Sequence, residues 1–172
     1  EICFGDEDYW IVKLDSIGGI QWQNTIGGSN SDKLISFIAL PSGGFICGGS
    51  SLSDISFDKN EDTNGSSDGW IVKLDSLGGI EWQETIGGIF DDYFGAMALA
   101  PNGGYFCGLS SNSIPSGDKT ENSYGSFDYW VLKLDSVGNV IWQNTLLGNL
   151  LDETTVISGL PDGSFLCGGN SN

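Results

Sequence analysis

The chain contains neither histidine nor arginine, and its six cations are all lysines set against 23 acidic residues, a formal net charge of −17 over 172 residues. Without imidazole or guanidinium there is no histidine general base, no Ser-His-Asp triad and no bidentate clamp for an anionic substrate. The negative field repels phosphate backbones and anionic membrane surfaces, which excludes nucleic acid as a partner. No run of about 18 apolar residues occurs, so no membrane insertion is expected. Helical periodicity is missing throughout. Neither a signal peptide nor an initiator methionine precedes Glu1, as expected of a mature or excised piece.

Glycine, by contrast, is plentiful at 27 residues, and it falls largely in pairs that punctuate short apolar runs. One stretch recurs: YWIVKLDSIGGIQWQNTIGG from Tyr9, GWIVKLDSLGGIEWQETIGG from Gly69 and YWVLKLDSVGNVIWQNTLLG from Tyr129. Sixteen of twenty positions agree between the first two copies, so the fold is a question about one unit of about sixty residues. In the first copy Trp10, Val12 and Leu14 alternate with Ile11, Lys13 and Asp15, the period of a strand. SIGG turns the chain and IQWQNTI returns. A second hairpin follows in each unit, read as LISFIAL-PSGG-FICGG, FGAMALAPNGGYFCGL and TVISGLPDGSFLCGG. Polar links at 50–68 and 110–128 join the units. Each unit is therefore four short strands and the protein is all-β. Four antiparallel strands per repeat fit a β-propeller blade, with a β-trefoil as the alternative.

Several residue sets invite a chemical reading. Cys47, Cys107 and Cys167 share one repeat position, with Cys3 in ICFG as a fourth, marking 2–5 as an extra strand; such sites lie too far apart for disulfides and read as buried thiols. Lys13, Lys73 and Lys133 each precede an aspartate by two, so Lys13–Asp15, Lys73–Asp75 and Lys133–Asp135 are expected to form structural ion pairs. Trp10, Trp70 and Trp130 are expected to fill space between blades. Asp58, Asn60 and Asp62 put oxygens at alternate positions, a candidate calcium site, although the glycine and distal glutamate of a calcium loop are missing. No other cofactor is implied. Glu81 and Glu84 break the repeat, but three apart in a strand they face opposite ways, which does not suit a glycosidase pair.

The segment L-D-S-x-G-x-x-x-W-Q resembles the tryptophan-docking motif of quinoprotein-like propellers, on Leu14, Asp15, Gly18 and Trp22, on Leu74, Asp75, Gly78 and Trp82, and on Leu134, Asp135, Gly138 and Trp142. The whole unit is similar to the delta-60-like tandem repeats of secreted and cell-surface bacterial proteins. These resemblances imply that Trp22, Trp82 and Trp142 wedge between neighbouring blades. They also imply two blades at 29–88 and 89–148, outer strands of a partial blade at 1–28 and inner strands of another at 149–172. Three blades are too few for a ring, so a slice of a longer array, or closure through another chain, is expected. The turns at Ser16, Ser76 and Ser136 resemble Asp-Ser-aliphatic acceptors for O-glycosylation of exported bacterial proteins. Together they imply a non-enzymatic structural or adhesion module, extracellular or at the cell surface, whose partners are a protein or glycan surface and other repeats or another subunit. The alternatives are a lectin-like propeller and, third, a glycoside hydrolase.

Overall fold

The computed structural model describes residues 2–146, 148 and 150–172, and within them the chain forms twelve strands and no helix. β1 (Tyr9–Leu14) and β2 (Ile20–Ile26) make a hairpin. β3 (Asp32–Ala39), β4 (Phe45–Ser51), β5 (Asp68–Leu74) and β6 (Ile80–Ile86) form a four-stranded antiparallel sheet in chain order. β7 (Asp92–Leu99), β8 (Tyr105–Ser111), β9 (Asp128–Leu134) and β10 (Val140–Leu146) form a second of the same order, and β11 (Asp152–Gly159) pairs with β12 (Phe165–Ser171). The protein is all-β, built of β-propeller-like repeats of four antiparallel strands.

Local chemistry explains the outer hairpins. Asp75 begins the turn after β5, and its Oδ1 accepts the backbone N–H groups of Leu77 (2.7 Å) and Gly79 (2.9 Å) while Gly78 takes a φ of +87°. Asp15 and Asp135 do the same before Gly18 and Gly138. The turn is therefore an Asp-capped loop rather than a two-residue hairpin turn, and the register shifts at Lys73/Leu74 beside it.

Successive sheets pack through their first strands. The Phe94 N–H on β7 donates to Ser50 Oγ of the preceding sheet (2.8 Å), and the Thr154 N–H on β11 donates to Ser110 Oγ (3.0 Å). Gly48 is small because the Phe94 ring lies over it: a Cβ there would stand 2.4 Å from Phe94 Cζ. One buried cluster spans both four-stranded sheets, with Ile46, Ile71, Phe94, Met97, Leu109 and Trp130 among its members.

Cys47 and Cys107 are buried free thiols, and burial pushes Cys47 up to about 12. Cys3 departs from the sequence expectation. It is exposed, and residues 2–6 form no strand. Residues 2–8 instead correspond to the end of the link: the Glu7 carbonyl accepts the Asp32 N–H (2.6 Å) as the Ser67 carbonyl accepts that of Asp92 (2.6 Å).

Candidate functional site

Trp10 apart, the recurring tryptophans pack against neighbouring side chains. Trp22 Nε1 donates to the Ser76 carbonyl in the next sheet's turn (3.2 Å), and its ring covers Gly78, where a Cβ would stand 3.1 Å from Cζ3. Trp82 lies the same way over Gly138 and tilts against Tyr105 (6.1 Å). Trp142 stacks on Phe165 (5.7 Å). Trp70 and Trp130 are fully buried, while Trp10 on β1 is exposed.

The expected lysine–aspartate pairs are not formed. Among the described residues the ion pairs are Lys73–Glu81 and Lys33–Glu7 (3.2 Å). Asp15, Asp75 and Asp135 cap their turns, and backbone N–H donors hold Asp75 below the usual carboxylate range. A carboxylate accepting two backbone bonds gains more than one in an exposed ion pair. Lys73 turns across its hairpin to Glu81, whose counterpart opposite Lys13 is Gln21. Lys133 instead sits 5.7 Å over the Phe106 ring. The turn serines Ser16, Ser76 and Ser136 are all exposed.

The calcium candidates face different targets. Asp58 Oδ2 accepts the Gly27 N–H (3.4 Å), Asp62 Oδ1 accepts the Ile55 N–H (2.9 Å), and the Asn60 N–H donates to Gln83 Oε1 (3.2 Å). The three residues thus pin the link down instead of converging. Among the described residues no group of three or more His, Cys, Asp or Glu side chains is placed to hold a metal ion.

A buried layer that the sequence reading passed over lies where the links fold back. Lys59 and Lys119 are almost wholly buried. Lys119 Nζ donates to Thr145 Oγ1 (2.8 Å) and sits 4.8 Å over the Trp130 ring; Lys59 repeats this with Thr85 and Trp70. Gln143 ties the assembly together, accepting from Trp130 Nε1 (3.0 Å) and donating to the Asp118 carbonyl (2.7 Å). The Q-x-T after Trp82 and after Trp142 is thus the seat of a link lysine. The signal was present as D-K at 58–59 and 118–119.

Around these lysines stand Asp32, Asp68, Asp92 and Asp128, all buried at strand starts. Asp92 Oδ2 accepts from the Gly88 N–H (2.7 Å) and Ser113 Oγ (2.8 Å), and Asp32 has the same pair in Gly28 and Ser53. Desolvation pushes Asp68 up to about 7 and Lys119 down to about 8, the latter against the pull of Asp92. Oδ1 of Asp32, Asp68 and Asp92 is buried without a hydrogen-bond partner. Each lysine thus ties a link to the last strand of its own sheet, Lys59 to Thr85 on β6 and Lys119 to Thr145 on β10.

Two grooves run along the first strands of the sheets. A groove of about 720 Å³ between β7 and β11 is lined by Ile35, Tyr93, Phe127, Leu151, Glu153 and Thr155 among others. Tyr93 and Phe127 meet at 5.4 Å, and a second groove of about 390 Å³ runs on the other side of Tyr93, past Lys33 and Leu52. The groove residues come from the part of the unit where the repeats differ: Lys33, Tyr93 and Glu153 share one repeat position, as do Ile35, Gly95 and Thr155. The framework repeats while this surface does not. With aromatic faces, a carboxylate and hydroxyls, the groove suits a neutral polar ligand with apolar faces.

No protein-family model matches the chain. Regulatory protein FlaEY of Caulobacter vibrioides is 23% identical to it over 140 residues, which span 78% of this chain and 15% of that protein.

Proposed function

We propose that this chain is a non-enzymatic repeat module of an extracellular or cell-surface protein, working as a structural or adhesion scaffold. One observation carries the reading: the residues identical from unit to unit are spent on turns, inter-sheet packing and the buried lysine layer, while the residues that differ line the open grooves. That division suits a scaffold presenting a surface unique to each unit. The lack of histidine and arginine and the capping of Asp15, Asp75 and Asp135 leave the repeated motif without a catalytic task. FlaEY is named a regulatory protein, and the match covers a small part of it, which fits a repeat segment carried within longer proteins.

A second reading is favoured by the paired rings of Tyr93 and Phe127 beside Glu153 and Thr154: a glycan stacked on the groove. The test is binding of the purified chain to a printed panel of neutral and acidic oligosaccharides and surface proteins, with Tyr93→Ala alongside. Saturable binding that Tyr93→Ala weakens by about tenfold, with the thermal midpoint kept, supports a binding module. Release of reducing sugar from a bound glycan would sink the non-enzymatic reading.

A further inference from the structure

We propose that Asn64 is a site of spontaneous deamidation, and that the carboxylate it gains parts the contact between the link at 50–68 and the link at 110–128. Asn–Gly, the pair in which a backbone nitrogen with no side chain beside it attacks the amide most readily, occurs twice, at 64–65 and at 102–103. Gly65 is fixed by the fold, since a Cβ there would stand 2.0 Å from the Phe90 carbonyl oxygen and 2.6 Å from that of Gly88. Gly5, one unit earlier, is pressed against the Asn30 carbonyl oxygen in the same way (1.9 Å). The residue before the glycine is not fixed. Phe4 and Tyr124 hold the place of Asn64, and all three backbone N–H groups donate to the aspartate four residues on, Asp8, Asp68 or Asp128. The turn therefore does not need asparagine, and of the three positions this one alone puts an amide before the glycine.

The chemistry needs only the chain and water. The Gly65 nitrogen attacks Asn64 Cγ and gives its proton to the Asp68 carboxylate, whose Oδ2 already accepts that N–H (3.4 Å). Burial lifts Asp68 to about 7, which makes it a stronger base than a free carboxylate. The Cγ–Nδ2 bond breaks and ammonia leaves, taking the proton back from Asp68. Asn64 is exposed, so water reaches the cyclic imide and opens it at either carbonyl, to aspartate or to isoaspartate.

Both products fail at the seam. Asn64 Nδ2 donates to the Gly87 carbonyl (3.3 Å) and to Asp118 Oδ2 (3.4 Å). Asp118 and Gly87 are themselves joined twice, Oδ2 accepting the Gly87 N–H (3.1 Å) and the Asp118 N–H donating to the Gly87 carbonyl (2.9 Å). The amide is thus a donor set between two acceptors. Aspartate replaces it with an oxygen that faces a carboxylate and a carbonyl, a like-charge contact with no proton to share. Isoaspartate adds a methylene to the main chain beside Gly65, where Gly88 and Phe90 leave no room. Asn102 is a control within the same molecule. It is exposed in the turn between β7 and β8, and Asp162 already holds that place one unit on, its Oδ1 accepting the Ser164 N–H (3.0 Å).

The test ages the chain in mildly alkaline buffer and maps it by peptide mass spectrometry, with aspartate and isoaspartate separated. Conversion is expected at Asn64 and at Asn102, and amide exchange in the peptide holding Asp118 should quicken by about tenfold or more only in molecules changed at Asn64. Made directly, Asn64→Asp should lower the thermal midpoint by about 2–4 °C or more, and Asn102→Asp by less than about 1 °C. In an Asp118→Asn background the loss from Asn64→Asp should fall by about half or more, because the repelling charge is gone. The aged parent, folded at the outset, decides the matter should Asn64→Asp fail to fold. An Asn64 that stays intact while Asn102 converts overturns the site. Unchanged exchange at Asp118 in converted molecules overturns the parting of the links, as does a loss of the same size with and without the Asp118 charge.

Discussion

Trp10, Trp70 and Trp130 hold one repeat position and differ only in what lies over them. Trp70 has Lys59 above its ring and Tyr9 beside it at 5.0 Å, and Trp130 has Lys119. Trp130→Ala removes a fully buried side chain together with its bond to Gln143, and is expected to cost about 3–5 kcal/mol in urea unfolding. Trp10→Ala, at an exposed position, should change stability by less than about 0.5 kcal/mol. Equal losses from the two would show that the repeat position, and not its cover, sets the energy. Asp68 gives a prediction in pH. Its ordinary value is 3.8 and burial raises it to about 7, so between these the folded chain holds a proton that the unfolded chain has released. That contribution to stability is complete below 3.8 and is lost as pH rises through about 7. Asp68→Asn, an uncharged amide at the same place, should gain on the parent protein as pH rises across this window. Urea midpoints of the two proteins read the difference, and a gap that stays constant with pH would overturn the assignment.

At the scale of the element, the outer hairpin could be read almost entirely from sequence, because D-S-x-G acts on its own backbone: the aspartate caps and the glycine takes positive φ. What the hairpin receives could not be read, since Gly78 and Gly138 carry a tryptophan from the preceding sheet, a contact made about 55 residues away in sequence. The lysine–aspartate pairing failed for the same local reason that the turn succeeded, the backbone having first claim on the carboxylate. Gly18, Gly78 and Gly138 separate the two roles. All three have φ near +90°, yet a Cβ at Gly18 meets nothing within 4 Å, whereas at Gly138 it meets Glu84 Cγ at 2.6 Å and Trp82 Cζ3 at 3.1 Å. Gly18→Ala should cost about 1–2 kcal/mol from backbone strain alone. Gly138→Ala should cost about 1–3 kcal/mol more as Trp82 is displaced. Thermal unfolding that finds the two equal would mean that Trp82 contributes no docking energy.

For the whole molecule, the repeat announced the strands, but the grooves are made largely by the residues that do not repeat, and periodicity is silent about them. Lys59 and Lys119 were hidden in stretches whose polarity suggested solvated links, because their burial depends on the link folding back onto Q-x-T of the next hairpin. In a chain of sheets that pack on neighbours in turn, stability is roughly a sum over units and their interfaces, and the ends are the weakest members. Amide hydrogen exchange should therefore be slowest in β4, β5, β8 and β9, which are flanked on both edges, and fastest in β2 and β12. Salt gives this profile its discriminating power. General screening of a net charge of −17 should slow exchange everywhere by a similar factor. A uniform slowing would assign the salt effect to screening, whereas an exchange order that does not follow strand position would overturn the additive account.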